Sequence, residues 1–206
     1  MSLSLLIAVT FLVVALYNIF DSWRRLRGVR RVVGMLGGML VAIGGGAFFS
    51  VSLLPAFGGI PTNFEWPVGH ADQIIQLSDG NRVAVHTPSS RLQVYDPAWH
   101  FVRGWSIDAN GGSFKVRLVE NALLEVWTAR GQKRLVFEPV GRLVWSGNYD
   151  AGSYGDFQTD GRSGYVPTPL PLWIFAHPFI AWSVGAVGMA MSAWSDPKKL
   201  KRMRGN

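Results

Sequence analysis

The amino-acid sequence predicts a membrane protein of mixed α plus β class. Three transmembrane helices are expected, with an extracytoplasmic antiparallel eight-strand meander (two four-stranded sheets) inserted between helices 2 and 3. Three observations carry this expectation. Apolar runs cover residues 3–20, 32–54 and 172–194, none containing a charged side chain. Basic clusters follow the first and third runs: Arg24, Arg25, Arg27, Arg30 and Arg31, then Lys198, Lys199, Lys201, Arg202 and Arg204. Between Gln73 and Ser146 the apolar period drops to two, that of a half-buried strand. The expected division is 1–56 as a transmembrane helical hairpin, 57–171 as the β-domain with a flexible connector at 147–171, and 172–206 as a third helix with a basic cytoplasmic tail.

Composition sets the class. Of 206 residues, 49% are hydrophobic and 16% charged, too apolar a balance for an ordinary soluble domain. The absence of cysteine excludes a disulfide framework and thiolate metal sites. A net charge of +7 raises a nucleic-acid reading, but the excess lies beside the apolar runs and the central region is close to neutral. Basic residues beside spans mark the cytoplasmic side and touch anionic lipid. Membrane lipid, and no nucleic acid, is therefore the expected partner.

The first run lacks a basic start, and it ends in Ile19 and Phe20 rather than at a small-residue cleavage site. It reads as a retained helix with its N-terminus outside. Trp23 to Arg31 then forms a short cytoplasmic loop, closing an antiparallel hairpin. The second run has 23 residues, and at ~1.5 Å per residue reaches ~34 Å, enough for a ~30 Å hydrocarbon core. Gly34, Gly38, Ala42, Gly46 and Ser50 recur at every fourth position, on one stripe. Small residues let a second helix approach backbone to backbone. Ala181 with Gly185, and Gly188 with Ser192, offer the same on the third helix. These positions are assigned to helix packing against other integral membrane subunits, giving a hetero-oligomer. Phe64 and Trp66, among the turn residues of 57–67, are expected as interfacial aromatics.

Strands are expected at Ile74–Leu77, Arg82–His86, Arg91–Tyr95, Phe101–Ser106, Phe114–Val119, Leu123–Thr128, Lys133–Phe137 and Arg142–Trp145. Short connections with turn signals, such as Ser78-Asp79-Gly80-Asn81, make them an antiparallel meander. The meander repeats. Val94-Tyr95-Asp96-Pro97 returns as Val136-Phe137-Glu138-Pro139, 42 residues later, and Val83-Ala84-Val85 returns as Leu124-Glu125-Val126 at an offset of 41. A period near 42 with four strands per repeat is a blade pattern. Residues 73–146, on Arg91-Leu92-Gln93-Val94-Tyr95-Asp96-Pro97, Phe101-Val102 and Trp105, resemble two blades of the NHL-like β-propellers. The resemblance implies four-stranded meander units of a kind often used for binding. Two repeats fall short of a closed ring, so a small sandwich or an open fragment is expected instead. Of Trp99, Trp105, Trp127 and Trp145, most should fill the core.

The Gly/Asp/Ser-rich stretch 147–164 reads as a surface loop, and the prolines of 166–171 stiffen the approach to the third span. Trp173 and Trp194 would mark its outer and inner boundaries. Together the two basic clusters place the N-terminus and β-domain outside and the C-terminus in the cytoplasm, in a bacterial inner (cytoplasmic) membrane.

Candidate chemistry is sparse. His70, His86, His100 and His177 form no metal-ligand spacing. His177, expected inside the third span, is the candidate cofactor contact, to a pigment, haem or quinone; its bland alternative is a bond to backbone or headgroup near the interface. No cofactor is required. Asp150, Asp156 and Asp160 do not match a calcium-loop spacing, and no nucleophile motif is present. The expected function is a non-catalytic accessory or scaffolding subunit of a larger membrane complex, photosynthetic or respiratory among the options. It would pack through its small-residue faces and present a periplasmic β-domain for protein contacts. The alternative is a membrane-anchored receptor or sensor whose β-domain binds a small ligand or peptide.

Overall fold

A computed structural model describes residues 3–53 and 60–196. The chain divides into two compact units, one of Met1–Val51 with His177–Asn206, the other of Ser52–Ala176.

The first unit holds three helices: α1 (Leu3–Arg25), α2 (Gly28–Leu53) and α3 (Pro178–Ser195). The expectation of three transmembrane helices is corrected here. Among the described residues one helix, over Gly28–Val51, is long and apolar enough to cross a membrane. α3 starts later than expected for a local reason. Pro178 forces the residue before it out of helical geometry, and His177 is extended at φ −144°, ψ 131°. The chain upstream forms a 3-10 segment over Leu170–Phe175 instead. What remains is 18 residues, ~27 Å of helix. α1 continues past its expected end through Asp21, Arg24 and Arg25, so its C-terminal turns are charged.

The connection between α1 and α2 is Leu26–Arg27, much shorter than the expected loop from Trp23 to Arg31. Its arginines are taken into helix ends: Arg25 pairs with Asp21 at 2.6 Å, and Arg31 Nε donates to Leu26 O at 2.8 Å.

Glycines decide how these helices meet. A Cβ on Gly37 would lie 2.6 Å from Ser192 Oγ and 2.8 Å from Gly188 O, and one on Gly44 would overlap the Gly185 backbone. A Cβ on Gly188 would come 2.6 Å from Gly37 O. On another side of α2, a Cβ on Gly38 would meet Ile19 at 2.6 Å and one on Gly34 would meet Ser22 Oγ at 2.8 Å. α2 is thus approached by α1 at Gly38 and by α3 at Gly37 and Gly44, while Gly34 lies close to Ser22 of α1 and Ser195 of α3.

The second unit is built from two antiparallel sheets. Strands β1 (His70–Gln76), β2 (Arg82–His86), β3 (Arg91–Tyr95), β4 (Phe101–Ser106) and β9 (Arg162–Tyr165) form a five-stranded sheet in the order β4-β3-β2-β1-β9. Strands β5 (Phe114–Val119), β6 (Leu123–Thr128), β7 (Lys133–Phe137) and β8 (Leu143–Asn148) form a four-stranded sheet in sequence order. The expected eight strands in two sheets of four are therefore corrected to nine. The ninth comes from the stretch read as a loop: Arg162–Tyr165 pairs with β1 through His70↔Tyr165 and Ala71↔Gly164. It has too few apolar residues to show a period.

Inward side chains of both sheets make one core. Val83, Val85, Leu92, Val94 and Trp105 from the larger sheet pack with Val116, Leu124, Val126, Leu135 and Phe137 from the smaller. Trp66, expected at a lipid interface, belongs to this unit's interior at 5% exposure; its indole N–H donates to Phe175 O at 3.0 Å.

The glycine contacts give a direct test. Gly44→Ala should destabilise the helical unit by about 1–3 kcal/mol through overpacking. Gly46→Ala, with nothing within 4 Å of the added carbon, should stabilise it by about 0.5–1 kcal/mol through helix propensity. Thermal unfolding of the two variants in detergent, followed by far-UV circular dichroism, checks the opposite signs.

Candidate functional site

The outer faces of the two sheets are closed by different chemistry. On the larger sheet, Arg91 is 0% exposed. Its guanidinium donates to three carbonyls, Ile60 O (3.3 Å), Pro61 O (2.8 Å) and Phe64 O (2.8 Å), and to Gln93 Oε1. Gln93 in turn exchanges bonds with the backbone of Trp66, accepting from its N–H at 2.7 Å and donating to its carbonyl at 2.9 Å. These bonds strap residues 60–66 across the sheet. Burial pulls the Arg91 pKa down to about 10, against an opposing influence of Tyr95.

On the smaller sheet the centre is Glu125, also 0% exposed. It sits mid-strand on β6, directly opposite Arg117 of β5. Its Oε2 accepts from Arg117 Nε at 2.5 Å and its Oε1 from the Trp127 indole N–H at 3.0 Å. Arg134 Nε on β7 completes the cluster as an ion pair to Oε1. Burial pushes the Glu125 carboxyl up; the Arg117 hydrogen bond, the Trp127 N–H and the two guanidinium charges outweigh it, leaving the pKa below the ordinary glutamate value.

Aromatic rings cover this charge cluster. The Arg117 guanidinium lies 4.7 Å from the Phe157 ring centre, and that of Arg134 lies 5.2 Å from Trp145. Trp127 stacks on Tyr149 at 4.3 Å and meets Phe157 at 4.8 Å. Lys115 Nζ donates to the carbonyls of Tyr154 and Phe157. Gly147 makes room for the Trp145 ring, which a Cβ there would strike. Residues 149–157, expected as part of a mobile loop, thus lie on the sheet, with Phe157 5% exposed.

Glu125 engages only the Nε of each arginine. The Nη groups make no hydrogen bond among the described residues, and the two side chains are 38% and 43% exposed. A planar guanidinium fixed on one edge and open on the other is a receptor for a carboxylate or similar oxyanion. The cluster counts three cations, Lys115, Arg117 and Arg134, against one carboxylate.

The sequence-assigned residues fall elsewhere. His177 caps α3, its Nδ1 accepting from Phe179 N–H at 3.1 Å, so that nitrogen is taken by the helix start. Gly38 faces α1, Gly34 lies close to both Ser22 of α1 and Ser195 of α3, and Gly46 has open space beside it. Ala42 is half-buried, and the Ser50 hydroxyl bonds back to Gly46 O at 2.8 Å. Ala181 is buried, and Gly185 lies across from Gly44. Arg24, Arg25, Arg27, Arg30 and Arg31 cluster about the α1–α2 connection, whereas Lys198, Lys199, Lys201, Arg202 and Arg204 lie outside the described residues. The His/Cys/Asp/Glu side chains make no group of three suited to a metal among the described residues. Asp160 is used structurally, accepting from Leu118 N–H at 2.6 Å. Sequence reasoning missed Glu125, Arg117 and Arg134. The repeat held a usable signal, since Glu125 occupies the place of Ala84, a carboxylate where the first copy is apolar.

The lowered Glu125 pKa fixes the sign of a pH effect. Its stabilisation is complete above the unfolded value of about 4.3 and is lost as pH falls through the lower folded value. Glu125→Gln should cost about 2–3 kcal/mol at pH 7, the usual penalty for breaking a buried pair reduced because both guanidiniums reach solvent. The gap between wild type and variant should narrow below about pH 4, as read by thermal denaturation across pH. The sequence matches no protein-family model and no curated protein, so a functional reading starts from this face.

Proposed function

We propose that this chain is a non-catalytic, membrane-anchored accessory protein that presents its β-domain for contact with acidic segments of neighbouring proteins. The observation that carries the reading is the pair of arginines, Arg117 and Arg134, locked by a buried carboxylate with their Nη edges open. Such a face binds without a reaction: its one carboxylate is held ionised and covered, so neither a base nor a nucleophile is offered to a ligand.

The anchor rests on two features of the helical unit. α2 has the length and composition to cross a bilayer. Large apolar side chains are exposed along this unit, among them Leu12, Val13, Leu16, Leu36, Ile43 and Trp182, a coverage that lipid would satisfy and water would not. Arg24, Arg25, Arg27, Arg30 and Arg31 lie at the end of α1, in the connection and in the first turn of α2, a placement that favours the cytoplasmic side. On that orientation the β-domain, which follows α2, stands outside. The small-residue positions favour no particular partner, because α1 and α3 already occupy several of them.

Two measurements test the reading. The full chain should remain in the membrane pellet after alkaline carbonate extraction. A synthetic acidic peptide labelled with a fluorophore should bind the detergent-solubilised protein and lose about tenfold in affinity in Arg134→Gln, with the β-domain less stable but still folded by far-UV circular dichroism. Arg117 and Trp127 still hold Glu125 in that variant. Recovery of the chain in the soluble fraction, or equal binding by the variant, would refute the corresponding half of the proposal.

A further inference from the structure

Just before α3 the chain carries apolar side chains that its own fold holds in place and leaves uncovered. The 3-10 segment Leu170–Phe175, Leu-Pro-Leu-Trp-Ile-Phe, has no buried residue. Leu170 is 81% exposed, the highest value for a large apolar side chain among the described residues, and Leu172 is 41% exposed. The segment is nonetheless fastened. The Trp66 indole N–H donates to Phe175 O, the Trp173 indole N–H donates to Thr168 O at 3.2 Å, and the Trp173 ring stacks on exposed Tyr165 at 6.0 Å. Tied at these points, it keeps its leucines outward.

Its place in the chain selects what covers it. α3 runs antiparallel to α2, with Gly188 against Gly37, and Ala181 and Gly185 against Gly44. From Gly44 to Leu53, the last residue of α2, the helix rises ~14 Å. From Ala181 back to Pro178, the first residue of α3, it rises only ~4–5 Å, so α3 starts ~9 Å short of the end of α2. A hydrocarbon core of ~30 Å, counted from Val32 just beyond Arg30 and Arg31, ends near Ser52 of α2. The start of α3 therefore lies inside the outer edge of that core, and Phe175 is within ~10 Å of it along the chain. Composition agrees. No Asp, Glu, Lys or Arg occurs from Ser163 to Ser195, so the segment offers no ionic group to a protein partner. Leucine beside tryptophan and tyrosine suits the boundary between acyl chains and headgroups. We infer that Leu170–Phe175 lies in the outer interfacial layer of the bilayer, with Leu170 and Leu172 inserted among the acyl chains. The inference rests on the anchoring of α2 proposed above.

The chain has no cysteine, so single introduced cysteines carry a nitroxide without background. Labelled full-length variants in neutral phosphatidylcholine vesicles report their surroundings by collision with oxygen, which concentrates among acyl chains, and with a nickel chelate confined to water. Ile43→Cys marks α2 and Val140→Cys marks the β7–β8 turn, at side chains 52% and 54% exposed. At Leu170→Cys and Leu172→Cys the oxygen-to-nickel collision ratio should exceed that at Val140→Cys by about threefold or more. A ratio equal to that of Val140→Cys, with Ile43→Cys still oxygen-rich, overturns the interfacial placement and leaves the anchor standing. A water-like ratio at Ile43→Cys as well overturns the anchoring, and the inference with it. Low collision with both reagents at Leu170→Cys and Leu172→Cys means a protein cover and overturns the choice of lipid.

Discussion

A β-sheet of four or five strands has two faces, and in this molecule only one of each is solved by the other sheet. Leu92, Val94 and Trp105 close against Leu124, Leu135 and Phe137, and that shared interior makes the two repeats one domain. At roughly 25 cal/mol per Å² of apolar surface removed from water, this core supplies the main driving force. It also creates the problem that the remaining structure answers: both sheets keep an outer face, and the smaller sheet ends in a strand with little above or below it. The outer faces are closed by straps: 60–66 on one side, fastened by buried Arg91 and Gln93, and 149–157 on the other, held by Lys115, by the Tyr149 hydroxyl on Thr128 O and by stacking on Trp127.

The choice of fastener differs between the repeats. In the first, Ala84 packs beneath Tyr95 and Val166, and Arg91 and Gln93 bind strap carbonyls. In the second, the place of Ala84 is taken by Glu125. A lone carboxylate there would be costly to bury, so two arginines and an indole N–H must come with it. Once present, the arginines extend outward past the carboxylate. A structural requirement, neutralising one buried charge, thereby generates an exposed cationic surface with fixed geometry. An apolar residue in that place would leave no reason for the arginines to be held in register.

The β-strands were legible because burial on one face writes a period of two into the sequence. Six of them run between the expected residues. β9 was not legible: it borders the sheet through backbone bonds, and Arg162-Ser163-Gly164-Tyr165 has no apolar alternation to announce it. The third helix was overread because hydropathy averages across a break, while Pro178 and the extended His177 before it set the boundary locally. Glycine spacing on α2 revealed that close approach occurs, yet not which line meets which helix. Gly37 and Gly44, two turns apart, meet Gly188 and Gly185, whereas Gly46 on the conspicuous stripe meets nothing. The arginine face escaped because its members come from three strands, and only the pairing of Arg117 with Glu125, and of β6 with β7, brings them together.

Glycine contacts within the helical unit also shift where interactions with other molecules must be sought. Close helix packing consumes backbone surface, and here Gly37, Gly44, Gly185 and Gly188 spend theirs on one another. What the unit leaves exposed is large and apolar but geometrically plain, suited to a fluid hydrocarbon surface better than to one specific partner. Specific recognition needs fixed polar groups and unpaired backbone, and among the described residues the β-domain supplies both: guanidinium edges set by Glu125, and the free border of β8. Among the described residues the smaller sheet alone combines the buried Glu125 carboxylate with a border strand that no other strand covers, and the proposed recognition rests on that sheet.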